Sequence, residues 1–246
     1  MDKRICIYTF YRFKTLINLK SIKEKLYIVS KDRFIFGTIL IAKEGVNGSI
    51  SGTENSINSF ISELKKIIKI RKLNIKISHN HFVPFYRLKI RLKKEIVNIG
   101  DKTINPERLT GKHVHPKDWD KIISNNTHII IDTRNDYEID IGKFKKSRNP
   151  KTKSFKDFKR YIAESNFDKD LPIAMYCTGG IRCEKASSYL MKNGYKDVSQ
   201  LSGGILNYFE YKKNKDKSNW EGECFVFDNR VAVNNDLKKG KYDQCY

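Results

Sequence analysis

The sequence predicts two modules in tandem: an α+β unit over residues 1–98, then an α/β unit with a parallel sheet over 110–213. Three observations carry this. Residues 5–78 switch between strand-like and helix-like apolar periods in the order βαββαβ. Residues 127–205 repeat short, wholly apolar β-branched runs, each followed by a helix, as a sheet buried on both faces requires. Between the two patterns, 99–109 (IGDKTINPERL) reads as a linker, and 214–246 reads as an irregular tail. A chain of 246 residues suits one or two domains at ~150 residues each.

Element by element, Ile5–Phe13 is a β-rich strand, and Leu16, Leu19, Ile22 and Leu26 fall at helical spacing. Phe34–Ala42 is a strand, Gly45-Val46-Asn47-Gly48 a turn, and Ser49–Ser51 a short strand. Thr53 or Asn55 caps a helix whose apolar positions are Ile57, Phe60, Ile61, Leu64, Ile67 and Ile68. Leu73–Ser78 closes a unit of ferredoxin-like order. A strand within 86–98 follows and is expected to leave that sheet. In the second unit, Pro116–Ile123 is a helix, Thr127–Ile131 a strand ending at Asp132, and Ser154–Ala163 a helix capped by Ser154. Pro172–Tyr176 is a strand, 177–182 a glycine-bearing loop, and 183–193 a helix ending at Gly194. Val198–Leu201 is a third strand, and Gly203-Gly204 opens a last helix.

Charge narrows the partner. The formal net charge is +21, and it is uneven: residues 1–100 carry 21 basic and 7 acidic side chains, residues 101–246 carry 28 and 21. Eleven basic residues and no acidic one lie between Glu63 and Glu95. Arg87, Lys89, Arg91 and Lys93 alternate with Leu88, Ile90 and Leu92, so a strand puts all four cations on one face. Such a ridge tracks a phosphate backbone, and a nucleic acid is the expected partner; a solvated sheet face is the alternative. Tyr11, Phe13, Phe82, Phe85 and Tyr86 lie near enough in sequence to offer stacking faces, though core packing is the stronger expectation for any single one. The N-terminus lacks a signal-peptide pattern and no apolar run is long enough to cross a bilayer, so a cytoplasmic protein without membrane attachment is expected. The five cysteines (6, 177, 183, 224 and 245) are odd in number and form no CxxC, which argues against a disulfide framework and a zinc site. No metal site is expected.

The strongest chemical signal is Cys177-Thr178-Gly179-Gly180-Ile181-Arg182. An apolar strand delivers Cys177 to the carboxyl end of a parallel sheet, where such sheets bind ligands. The glycines let backbone N–H groups turn inward, the next helix adds the positive end of its dipole, and Arg182 adds a fixed charge. Each favours thiolate over thiol, making Cys177 a candidate nucleophile. Cys183 is positioned either to resolve an oxidised Cys177 or simply to pack. Asp132 and Arg134 read as an ion pair supporting the loop.

Four residues separate Cys177 from Arg182, one fewer than in dual-specificity phosphatases, and the loop resembles that of rhodaneses. Asp132-Thr133-Arg134-Asn135-Asp136-Tyr137-Glu138 and Leu201-Ser202-Gly203-Gly204-Ile205 resemble two further rhodanese signatures, while Gly142-Lys143-Phe144 departs from the usual G-H-I. Cys177-Thr178-Gly179-Gly180-Ile181-Arg182-Cys183-Glu184-Lys185-Ala186, with Lys43-Glu44-Gly45-Val46-Asn47-Gly48-Ser49-Ile50-Ser51-Gly52 and Lys94-Glu95-Ile96-Val97, is similar over nearly the whole chain to the bacterial rhodanese-related tRNA uridine hydroxylases. That resemblance implies an acylphosphatase-like N-terminal module, a rhodanese domain, and hydroxylation of the wobble uridine of tRNA at C5 with O2 as co-substrate. It places the essential cysteine at Cys177. No organic cofactor is legible. Without the resemblance, the residues point to sulfur transfer through a Cys177 persulfide; a phosphatase and a non-enzymatic RNA-binding protein are weaker alternatives.

Overall fold

The computed structural model describes residues 5–213 and 218–243. The chain forms two compact units. The first is built on residues up to Val97 with Phe227–Arg230 added; the second comprises Asn98–Val226 and Val231–Tyr242.

In the first unit, strands β1 (Ile5–Phe13), β2 (Phe36–Ala42), β3 (Gly45–Gly52), β4 (Asn74–Asn80) and β5 (Leu88–Leu92) form one sheet in the order β4-β1-β3-β2-β5. Helices α1 (Leu19–Ser30) and α2 (Glu54–Ile67) follow β1 and β3. Leu26, Phe60 and Leu64 from the helices pack with Phe10, Ile39, Ile50 and Ile90 from the strands. Thr53 caps α2, its hydroxyl accepting the Ser56 N–H at 3.3 Å.

Three expectations need correction. The first helix starts at Leu19, because the Leu16 N–H pairs with the Lys43 carbonyl at 2.8 Å and Asn18 turns the chain at φ 54°. Residues 45–48 are strand, not turn: Ala42 pairs with Gly45, leaving Lys43-Glu44 as the tight loop. The Asn47 amide is committed elsewhere, donating to the Ile96 carbonyl at 3.1 Å, while the Glu44 carboxylate accepts the Ile96 N–H at 2.7 Å. The Lys43–Gly48 and Lys94–Val97 motifs are therefore two halves of one clamp, in which side chains supply both hydrogen bonds a neighbouring strand would make. Finally, the basic strand stays in the sheet, parallel to β2, with Ile39 opposite Ile90.

In the second unit, β6 (Lys112–Val114), β7 (Ile129–Asp132), β9 (Ile173–Tyr176) and β10 (Val198–Leu201) form a wholly parallel sheet in the order β6-β10-β9-β7. Helices α3 (Pro116–Ser124), α4 (Asp136–Ile139), α5 (Phe158–Ser165) and α6 (Ile181–Lys192) lie between these strands, and α7 (Gly204–Lys212) follows β10. All residues of β7, β9 and β10 are buried. The fold class is thus an acylphosphatase-like α+β domain followed by a rhodanese-type α/β domain. Ile99 and Ile104, within the expected linker, are buried.

The expected tail is also structured. Positions 214–217 and Cys245 lie outside the described residues, but β11 (Trp220–Gly222) pairs antiparallel with β8 (Gly142–Phe144), and β12 (Cys224–Phe225) pairs with β13 (Ala232–Val233). The Trp220 ring packs edge-on to Phe144 at 5.0 Å and Phe209 at 5.4 Å. Trp220, Cys224 and Val226 are buried at even spacing, a short amphipathic strand signal that the surrounding Lys, Asn and Asp residues obscure. Residues 227–230 belong to the first unit: the buried Arg230 pairs with Asp228 at 2.6 Å and donates to Ser78 Oγ at 3.1 Å. Among the described residues no helix is long and apolar enough to cross a membrane.

Candidate active site

Cys177 lies at the carboxyl end of β9 and opens the loop into α6. The Gly180 N–H donates to its Sγ at 3.1 Å. Gly180 sits at φ 96°, a conformation that favours glycine and brings this amide round to the sulfur. Two carbonyls of this stretch are held by the start of α7: Ile205 N–H donates to Cys177 O at 3.0 Å and Leu206 N–H to Thr178 O at 3.1 Å. Gly204, at φ 67°, permits this approach. A Cβ there would stand 2.4 Å from Cys177 O and 2.6 Å from Thr178 O. The late Gly203-Gly204 turn is thus a support for the active loop.

Burial alone pushes the Cys177 thiol up. The Cys183 thiol hydrogen-bonded to it, the Arg182 guanidinium and the N–H groups of Cys183 and Arg182 outweigh burial and lower Cys177 to about 6. Cys183 moves the other way: burial and the adjoining Cys177 raise it well above the usual thiol range. Cys177 is the thiolate of the pair and Cys183 the thiol. Thr133 Oγ1, which donates to the Tyr176 carbonyl at 3.0 Å, stands 3.6 Å from Cys183 Sγ.

Arg182 is fixed by Glu138 in a two-pronged buried pair, Nη1–Oε1 at 2.6 Å and Nη2–Oε2 at 2.7 Å. Glu138 is also the third residue of α4, where Oε1 accepts the Asn135 N–H at 3.1 Å and closes a capping box. Desolvation raises its carboxyl, but Arg182 dominates and the net shift is downward. Asp132 and Arg134 are fully buried and paired at 2.6 Å. Arg134 continues to the Glu138 carbonyl at 3.1 Å and the Gly142 carbonyl at 2.7 Å, and its guanidinium lies 5.2 Å over the Trp220 ring. The departure at Gly142-Lys143-Phe144 therefore leaves that strand's contact to Arg134 intact, through backbone.

Of the loop residues, Gly180 and Arg182 act on Cys177 directly, Thr178, Gly179 and Ile181 complete the turn between Cys177 and Arg182, and Asp132 and Arg134 stand behind them through Glu138. Glu138, quoted in the strand-end signature but given no role there, is the residue that holds Arg182. Cys224 is a further neighbour: burial raises its thiol to about 12, and Arg134, Glu138 and the Thr178 hydroxyl all lie close enough to act on it. Nothing in its spacing signals this. Among the described residues no three His, Cys, Asp or Glu side chains converge as a metal set. Arg87, Lys89, Arg91 and Lys93 belong to the first unit, on or beside β5, with Arg87, Arg91 and Lys93 exposed and Lys89 half-buried. Of the aromatics nearby, Tyr11 and Phe13 are buried, Phe85 half-buried, and Phe82 and Tyr86 exposed.

Comparison with known proteins matches residues 5–96 to the UPF0176 acylphosphatase-like domain and residues 115–211 to the rhodanese-like domain. Among solved structures, a rhodanese-related protein from Thermoplasma volcanium is 20% identical over 41% of this chain and 92% of its own, with a TM-score of 0.35. The polysulfide-sulfur transferase of Wolinella succinogenes is 23% identical over 41% and 74%, with a TM-score of 0.34. An acylphosphatase from Coxiella burnetii is 15% identical over 36% and 94%, with a TM-score of 0.29. The chain joins a UPF0176 acylphosphatase-like domain to a rhodanese-like domain, a combination consistent with the UPF0176 family.

Proposed function

We propose that this protein modifies tRNA and that its reaction is the oxygen-dependent hydroxylation of the wobble uridine at C5, with Cys177 as nucleophile. The observation that carries the reading is the Cys177 thiol, lowered to about 6 and held by the Gly180 N–H and Arg182. It is a thiolate at neutral pH. A thiolate adds to C6 of uracil, breaking the C5=C6 π bond and leaving the electron pair on C5 as an enolate. C5 then takes up O2 as a peroxide. A cellular thiol reductant supplies two electrons and two protons, so one oxygen leaves as water and a disulfide forms. Loss of the C5 proton with departure of Cys177 restores the ring as 5-hydroxyuridine. The cations Arg87, Lys89, Arg91 and Lys93 supply the phosphate contacts a tRNA requires.

The second reading is sulfur transfer. The short loop with its N–H donors also suits an anionic persulfide on Cys177. The two readings part under argon. Purified protein, unmodified tRNA and a thiol are incubated with and without O2, and the nucleosides are weighed. A uridine heavier by one oxygen, formed only in air, supports hydroxylation. Sulfur transfer from thiosulfate to cyanide at equal rates in air and argon, with no altered uridine, favours the second reading.

A further inference from the structure

Beyond its packed core, the first unit exposes aromatic surface at one end of its sheet. Phe34 is 81% exposed and Tyr86 is 79% exposed. Phe34 stands two residues before β2 and Tyr86 two residues before β5, and these strands are parallel neighbours beginning at the Gly37–Leu88 pair. The Gly37 N–H donates to the Arg87 carbonyl at 3.1 Å, fixing that end of the sheet. Phe34 holds φ 49°, a left-handed conformation that a bulky side chain rarely adopts. It lines a groove of about 460 Å³ with Tyr27, Ile28, Lys31 and Leu88. One wall of the groove is tied to the sheet, because the Tyr27 hydroxyl accepts the Ile90 N–H of β5 at 3.1 Å.

Charge decides what fits. Residues 28–36 and 86–93 carry six basic side chains (Lys31, Arg33, Arg87, Lys89, Arg91 and Lys93) and one acidic, Asp32. Exposed rings at the end of an edge strand that carries cations along its length match a polyanion that also offers flat apolar faces. Unpaired RNA bases have both features, while paired bases keep their faces hidden in the stack. We propose that Phe34 and Tyr86 form a stacking site for unpaired bases of the RNA whose backbone follows β5. The proposal rests on the tRNA reading and adds the contact that recognises a loop rather than a stem.

The test measures binding of the full chain to two fluorescent probes, an anticodon stem-loop and a fully paired RNA duplex of equal length, across salt concentrations. Phe34→Ala/Tyr86→Ala and Lys89→Glu/Arg91→Glu are compared with the parent, folding being checked by circular dichroism. Stacking predicts that the aromatic pair variant loses affinity for the stem-loop by about 5- to 100-fold. Its salt slope stays unchanged, and its duplex binding stays within about twofold of the parent. Tyr86→Phe keeps parental affinity. If the aromatic variant binds the stem-loop like the parent while the charge variant fails, the stacking site is wrong and the tRNA reading stands. If it loses both probes equally, or if the substitution instead dissociates a dimer seen by sedimentation, the stacking site is likewise wrong. A parent that binds neither probe overturns both.

Discussion

Two arginines in the second unit serve different purposes although both are buried. Arg134 is enclosed by Asp132, two carbonyls and an indole, and has no donor directed at Cys177. Arg182 gives both terminal nitrogens to Glu138 and still stabilises the Cys177 anion. Removing one partner of such a pair strands a buried charge at a cost of about 3–5 kcal/mol. Glu138→Gln should therefore lower stability in urea by that order and reduce any Cys177-dependent activity. A variant as stable as the parent would show that the pair carries no such weight. The thiolate gives a second prediction. The folded Cys177 lies near 6 against 9.0 for an unperturbed thiol, so its ionisation adds stability in full above about 9, and that contribution is lost as pH falls to about 6. Alkylation of Cys177 by iodoacetamide should rise with pH about a midpoint near 6. Cys183→Ala removes a hydrogen bond to a charged sulfur, worth about 1.5–3 kcal/mol, and should move that midpoint upward by about 1–2 pH units.

At the scale of elements, the active loop depends on the turn that opens α7. Its glycine at 204 combines a positive φ with three backbone atoms no more than 2.7 Å from a Cβ position. Gly204→Ala should displace the loop, raise the alkylation midpoint of Cys177 and lower the melting temperature. An unchanged midpoint would show that α7 does not position the sulfur. This dependence is half legible in the sequence: the Gly203-Gly204 signature is visible, but its contact with Cys177 arises from two strands separated by α6. The same holds for Glu138, whose partner Arg182 is 44 residues away. Local signals are more readable. β1 and the helical face of α2 follow from apolar period alone, whereas the turn falls at Lys43-Glu44 because Asn47, a turn former by type, donates its amide to Ile96 instead. For β5, reversing the charge of Lys89 and Arg91 should flatten the salt dependence of RNA binding by about 0.7–0.9 for each phosphate left without its cation.

At the scale of the whole chain, each unit has its own core, and the C-terminal segment contributes to both units. Trp220 is the clearest case, packed among Phe144, Phe209 and the Arg134 guanidinium. Trp220→Ala should cost about 3–5 kcal/mol in urea unfolding of the second unit, and a cost below about 1 kcal/mol would mean that the segment is peripheral. The charge asymmetry and the thiolate belong to different units, and the proposed function needs both in one molecule. Nucleoside mass spectrometry tests that most directly, on bulk tRNA from cells with the intact gene, a deletion, and a Cys177→Ala allele. 5-Hydroxyuridine and its derivatives are expected to disappear in the deletion and in the Cys177→Ala cells alike. Their persistence in both, with a thiolated nucleoside missing instead, would contradict hydroxylation and establish the protein as a sulfur carrier.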